Sequence, residues 1–498
     1  SNVTLTGNIS PSGTGRFGGA PTTGIFNIAG SGDLGSDLRI ASGGRFYSLT
    51  INRPSANIIL DGALNIGSTA TAGVLTLTNG VINTTSANRI RLINTTAGAI
   101  VGGNENSYIN GSLERTFGTS ISVGTYTFPV GKTSYNEFAM IVGAATAATS
   151  GTVVQVEAFD EVAGGSAGTG FDVSPTPAKY WQASFAAGSI TTQNTISVRL
   201  TDAGMTLTDA NAIGHSTTAS GKTGTYNNLG GINVNSPSNG NITSMVPISN
   251  TLGFFKIGSK ACINGPLYTV GATGDFTNLT AVANILNVAQ VCDDLVFELQ
   301  SNYSSAGETF PITFKQWTNS GGARTVTIRP ASGVTATTSG AGASSNLIVL
   351  DGVSYLTFDG RRAGVGSAIS DGYWTITNTT TGSFNTFSMI NGSTNNNLKY
   401  LNIKGNPNST ANALIHLGTT TNTVGNNNNT IEYCYVGANA NAANTKCIYS
   451  NGTSAYPNSF NTISNCEIYN FTNYGFWGTN GTGTNWDISN NSFYRTST

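Results

Sequence analysis

The sequence predicts an all-β chain in three parts. Residues 1–105 read as a short-strand β-solenoid, 106–262 as a β-sandwich region of one or two immunoglobulin-like modules, and 263–498 as a right-handed parallel β-helix with one capping helix, incomplete at its C-terminus. Three observations carry this. Early in the chain, apolar residues recur in pairs one residue apart, separated by Gly and Asn. The middle carries longer stretches of strict alternation, the period of a half-buried strand. Beyond residue 350 a bulged apolar pattern returns at intervals of 45, 33, 32 and 25 residues. Composition agrees: 63 of 498 residues are Gly and only 9% are charged, against about 25% in an ordinary soluble domain.

The early pairs are Leu38-x-Ile40, Leu49-x-Ile51, Ile58-x-Leu60, Leu64-x-Ile66, Leu75-x-Leu77 and Ile90-x-Leu92. Each gives a short strand with one buried face, and turn dipeptides such as Asp61-Gly62 and Asn79-Gly80 lie between them. Strands this short and close suit successive coils that bury one another's apolar face, with an ordinary sandwich as the competing arrangement. In the middle, Thr152–Phe159, Tyr180–Phe185, Ile196–Leu200 and Leu252–Gly258 alternate over sandwich-like lengths. Pro175, Pro177 and the Gly-rich run 164–170 read as an exposed loop or a boundary.

One helix is convincing. Leu279, Val282, Ala283 and Leu286 fall at i, i+3, i+4, i+7, and Thr277 or Asn278 can cap them. Ahead of a strand ladder its task is to cover the first coil's apolar end and unpaired edge. The bulged pattern then reads Val353-x2-Leu356-x-Phe358, Leu398-x2-Leu401-x-Ile403, Ile431-x2-Cys434-x-Val436 and Ile463-x2-Cys466-x-Ile468, with a weaker copy at Ile488-x2-Asn491-x-Phe493. One coil per repeat places Val353, Leu398, Ile431 and Ile463 in one inward column, with Cys434 and Cys466 at equivalent core positions acting as small hydrophobes. Asn426-Asn427-Asn428-Asn429 suits a corner, since Asn tolerates left-handed turns and stacks by amide hydrogen bonds. Cys262 and Cys292 flank one segment and can pair or stay free. No CxxC is present.

Several strings resemble a known group of proteins. Tyr268-Thr269-Val270-Gly271-Ala272-Thr273-Gly274-Asp275-Phe276-Thr277-Asn278-Leu279, then Phe310-Pro311-Ile312-Thr313, then Arg324-Thr325-Val326-Thr327-Ile328-Arg329-Pro330-Ala331-Ser332-Gly333 are similar to the start of β-helix modules in very large surface proteins of Bacteroidetes bacteria. Tyr108-Ile109-Asn110-Gly111-Ser112-Leu113 with Tyr126-Thr127-Phe128-Pro129-Val130-Gly131 is similar to a module upstream of them. The resemblance implies an adhesin exported by the type IX secretion system, of the kind used in gliding motility. It also implies dependence on secretion and outer-membrane anchoring machinery.

The search for reactive chemistry yields no catalytic, cofactor or metal site. Only His215 and His416 exist, in different parts of the chain, and His416 reads as a strand residue. HExxH, Walker and dinucleotide motifs are absent. Asp351, Asp359, Arg361, Arg362 and Asp371 are the candidates for polysaccharide cleavage, weighed against corner residues and a solvated Arg pair. Asp160-Glu161 and Asp293-Asp294 read as loop charges. Tyr474, Trp477 and Trp486 are the candidates for stacking on sugars, with Phe476 beside them and Trp317 and Trp374 earlier. A net charge of -1, from Lys+Arg 22 against Asp+Glu 23, lacks the positive excess that nucleic acid requires. No apolar run reaches the ~18 residues that span a bilayer.

These readings together describe an extracellular, non-enzymatic stalk or filament segment at the cell surface, presenting a binding face to polysaccharide or other cells. The start at Ser1-Asn2-Val3 and the strand-like finish read as a piece of something longer. The rival readings are a secreted polysaccharide-binding or polysaccharide-cleaving protein, and a self-associating subunit of an extracellular fibre.

Overall fold

The computed structural model describes the chain except residues 1, 7–23, 31–37, 41–44, 68–69, 174–177, 192–194, 234–239, 249–250, 320–321, 342–345, 408, 419–423, 439–445, 480–482 and 497–498, and the side chains of 38–40, 55–57 and 381. Pro175 and Pro177 lie outside the described residues. The fold is mostly β, with one α-helix among the described residues and extensive parallel sheets. It divides into two compact units, Ser1–Ala261 and Cys262–Thr498.

In the first unit the short apolar pairs form parallel ladders. Phe26, Leu49, Leu75 and Ile100 sit in one column, and Ile28, Ile51 and Leu77 in the next. In a second ladder Leu64, Ile90 and Leu113 line up. Leu113 is where a boundary drawn at 105 meets continuous structure. Leu113–Thr116 pairs parallel with Ile90–Leu92 on one side and antiparallel with Val153–Phe159 on the other. The ladder therefore continues without interruption into an antiparallel sheet of Val153–Phe159, Tyr180–Ala187, Gly253–Lys260 and Asn211–Thr217. A five-stranded antiparallel sheet includes Gly124–Phe128, Phe138–Val142 and Ile196–Thr201, and Phe138 meets Phe255 of the larger sheet edge-on at 5.3 Å. One hydrophobic core runs from Phe26 to Ile257.

Two adjacent residues fix that junction. The buried Glu114 carboxylate pairs with Arg89 and Arg91, both at 2.5 Å. The Arg115 guanidinium, equally buried, donates to the carbonyls of Thr96 (2.6 Å), Ala97 (3.0 Å) and Thr127 (2.9 Å) and lies over the rings of Tyr126 and Phe128. Burial lowers its pKa to about 10, so it stays charged at neutral pH.

The second unit stacks rungs on three parallel sheets. After its opening turns the chain visits them in a fixed order: Leu356–Asp359 on the first, Trp374–Gly382 on the second, Asn385–Ile390 on the third, then Asn397–Lys399 on the first again. The register puts Phe358, Leu398, Ile431, Ile463 and Ile488 in one column of the first sheet. Val353 is buried but stands outside that column, because Phe358 holds the rung beside Leu398. Its neighbour Ser354 bridges to Thr394, which sets Val353 at the corner before the first sheet, level with Ser393. On the second sheet Ile376, Ile403, Val436, Ile468 and Phe493 line up.

The corners explain the bulge. Tyr355, Asn395, Asn428, Phe460 and Asn485 all take positive φ at the corner before the first sheet, and Tyr400, Tyr433, Asn465 and Asn490 do so at the corner after it. Such a residue turns the chain between two inward side chains, which makes the x2 gap. Asn is the cheapest non-Gly residue for this conformation. Tyr400 and Tyr433 offset its cost by stacking at 4.8 Å with parallel rings, under the Arg361 guanidinium. Inside the first corner, Asn396, Asn429 and Asn461 form a buried ladder: each amide donates to the next at 3.0 and 3.1 Å. Asn426 and Asn458 repeat this at 3.0 Å.

The capping helix, Leu279–Leu286, buries Leu279, Val282, Ala283, Ile285 and Leu286. Asn278 caps it by accepting from the Ala281 N–H at 2.8 Å. The Glu308 carboxylate takes the Leu279 and Thr280 N–H groups, both at 2.7 Å, so the orphan donors of its first turn are answered. Just past its end, the Asn287 amide donates to Thr313 O (2.9 Å) and accepts from Lys315 N (2.7 Å). It thereby imitates a neighbouring strand at the first rung of the third sheet, Ile312–Lys315. Cys262 and Cys292 are joined in a disulfide. Cys434, Cys447 and Cys466 are free and buried. The Cys434 N–H points at Cys466 Sγ, 3.4 Å away on the next rung, and burial raises the Cys447 thiol to about 12, so it stays protonated.

Candidate functional site on the third sheet

The third sheet stacks Ile415–Leu417, Lys446–Ser450 and Tyr474–Gly478 in parallel. Ile415, Ile448 and Phe476 form one column, so the residue after each belongs to the opposite face. Those residues are His416, Tyr449 and Trp477. Rungs about 4.8 Å apart bring matched rings into face-to-face contact: His416 on Tyr449 at 5.0 Å, Tyr449 on Trp477 at 4.8 Å, and Tyr474 on Trp477 at 5.2 Å. The Lys446 ammonium sits 4.9 Å from the Tyr449 ring and 4.7 Å from the Trp477 ring, and it donates to Thr410 O. Burial lowers its pKa.

The structure thus joins Tyr474 and Trp477 and adds His416, Tyr449 and Lys446, which the sequence reading did not connect to them. The available signal was register: each strand places one residue directly after its inward Ile or Phe. Trp486 stands apart from the column. It packs on Phe476 at 5.2 Å, and its indole N–H donates to Asn458 O at 2.7 Å. Trp317 and Trp374 are buried, their indole N–H groups bonded to Asn319 and Thr338 at 3.0 Å.

Sugars meet aromatic rings through the ring faces, where the quadrupole is negative. In this column the faces are turned on one another. Tyr474, exposed at the column's end, is the ring placed to meet a ligand. His416 is neutral at pH 7: burial lowers its pKa to about 4, and its Nε2 lies 3.0 Å from Asn451 Oδ1. His215, stacked on Phe255 at 4.6 Å, is likewise lowered to about 4 by burial.

The candidate acids are engaged locally. Asp359 forms a two-pronged pair with Arg361, at 3.0 and 2.8 Å, with Lys399 at 3.7 Å. Arg362 lies 3.7 Å over the Tyr373 ring and donates to Val334 O. Asp371 accepts from the Ser367 and Ala368 N–H groups, and Asp351 from the Asn391 amide. Asp160 accepts from the Thr133 N–H, and Glu161 pairs with Lys222 and Tyr180. Asp293 and Asp294 accept from the Gly265 and Thr325 N–H groups, and those bonds hold Asp294 below its ordinary pKa. Among the described residues, no three His, Cys, Asp or Glu side chains gather as a metal site, and no helix is long and apolar enough to cross a membrane.

No family model matches the chain, and no curated protein matches it. Among solved structures, the pectin methylesterase from Aspergillus niger, in a penultimately deglycosylated form, is similar over 47% of this chain and 91% of its own, at 12% identity and a TM-score of 0.23.

Proposed function

We propose that this chain is a structural and adhesive segment of a long cell-surface protein: a β-solenoid and immunoglobulin-like sandwich region followed by a right-handed parallel β-helix. The observation that carries the reading is the lengthwise stacking of the second unit, where each rung contacts its neighbours and length is gained one coil at a time. The candidate carboxylates serve as clasps for local backbone and arginines, which supports a stalk over a hydrolase. The Cys262–Cys292 disulfide supports an extracellular location, since disulfides persist in oxidising compartments. Export by a type IX route, in a gliding-motility type of adhesin, is part of this proposal. A second reading, polysaccharide binding by the second unit, is favoured by the exposed Tyr474 ring beside Trp477.

The test is to mix the purified chain with a panel of insoluble polysaccharides and with whole cells. Depletion from the supernatant reports binding, while released reducing ends and methanol report cleavage. Retention without turnover is expected. Turnover that survives repurification would overturn the non-enzymatic reading. Loss of polysaccharide retention in Tyr474→Ala and Trp477→Ala would support the second reading, and unchanged retention would refute it.

A further inference from the structure

We infer that a polar cavity in the first unit binds a neutral, hydroxyl-rich sugar residue. The cavity, about 310 Å³, forms where the turn after Ile100–Gly102, the segment 135–137, and the strands Ile196–Thr201 and Asn241–Thr243 meet. Its lining includes Glu105, Tyr135, Glu137, Arg199, Thr201 and Asn241 and no large aliphatic side chain. Ligand pockets are ordinarily walled by apolar groups with a few polar ones. Here polar side chains supply most of the lining, so the occupant must bring its own hydrogen-bonding groups.

The lining is held in place before any ligand arrives. Buried Glu137 is gripped by Arg199, at 2.5 Å from Nη2 and 3.2 Å from Nε, and by the Tyr135 hydroxyl at 2.8 Å. One oxygen of Glu105 accepts the Tyr135 N–H at 3.2 Å, and Asn241 Oδ1 accepts the Thr201 hydroxyl. Gly103 lines the rim at φ 101°, where a Cβ would come within 2.5 Å of Pro129. The backbone there is fixed by a close approach that a side chain would block.

After these bonds, the second Glu105 oxygen remains as an acceptor, and Arg199 Nη1 and Asn241 Nδ2 as donors, with no protein partner among the described residues. A hydroxyl donates and accepts at once, so neighbouring hydroxyls of one sugar ring satisfy such a mixed set. Charge narrows the choice. Two carboxylates against one guanidinium leave the lining net negative, which opposes a uronate. The Arg199 guanidinium in the same wall opposes an ammonium group.

The inference goes beyond the preceding reading, whose candidate rings lie in the other unit, and it is tested apart from it. Calorimetric titration of the intact chain with glucose, galactose, mannose, galacturonate and glucosamine is the experiment. At least one neutral sugar should bind in the millimolar range or tighter, with Glu105→Gln and Asn241→Ala each weakening it about fivefold or more. Glu105 and Asn241 belong to the first unit, so weakening in those two variants separates this site from the aromatic column of the second. Absence of neutral-sugar binding below ~10 mM, tighter binding of galacturonate or glucosamine, or unchanged affinity in Glu105→Gln would each overturn it. Glu105 is exposed, so that variant does not depend on refolding the core.

Discussion

His215 and His416 each hold an imidazole neutral by burial, with pKa lowered from 6.5 to about 4. The unfolded chain therefore takes up these protons first as pH falls. Stability is full above about 6.5 and declines across the window from 6.5 to 4, since the unfolded state binds more protons there. For the deeply buried His215 the loss amounts to about 3 kcal/mol. His215 Nε2 is buried with no hydrogen-bond partner, so His215→Phe, which keeps the stack on Phe255, should be neutral or stabilising at pH 7. It should also flatten the acid limb of the first unit's melting profile. An unchanged profile would show that the ring titrates normally. Chemical denaturation at pH 4, 5.5 and 7 measures both effects.

At the scale of an element, the asparagine ladder is the sharpest case. Asn429 accepts from the Asn396 amide and N–H and donates to Ser393 O and Asn461 Oδ1. Asn429→Ala should cost about 3 kcal/mol, since it strands several buried polar groups, while Asn428→Gly, at an exposed positive-φ position, should be neutral or slightly stabilising. Equal effects in urea unfolding would refute the ladder's role. This corner also shows what the sequence could reveal. Asn426-Asn427-Asn428-Asn429 announced a turn, and the i, i+3, i+4, i+7 face with a cap at Thr277 or Asn278 announced the helix, because both depend on local chemistry. Val353-x2-Leu356-x-Phe358 misled because the corners before and after the first sheet both insert one positive-φ residue between inward side chains. Val353-Ser354-Tyr355-Leu356 and Leu398-Lys399-Tyr400-Leu401 are thus alike as strings but occupy opposite ends of a strand. Likewise no burial rhythm marked the alliance of His416 and Tyr449 with Trp477, and their one shared sign, the place directly after an inward Ile or Phe, gains meaning only once cross-rung register is known.

Across the whole molecule, the two compact units should respond separately to reduction. The disulfide closes a 30-residue separation within the second unit, and constraining a loop of that length is worth about 3–4 kcal/mol. Cys262→Ser with Cys292→Ser should lower the second unit's transition and leave the first unit's in place, as followed by calorimetry. A shift of both together would mean the units unfold as one. Within the first unit, Leu113–Thr116 carries a single apolar residue and so no alternation to mark it as a strand, and its two oppositely running partners show only in the pairing. The pairing around that strand constrains how the gene can be cut. Glu114 and Arg115 are consecutive, so they point to opposite faces, and each finds its counterpart in residues before 100. A fragment beginning at residue 106 would inherit a carboxylate without its two arginines and a guanidinium without two of its three carbonyl acceptors, and it should be recovered as insoluble aggregate. The piece beginning at 262 is a compact unit by itself, and it should express as a soluble, cooperatively melting protein.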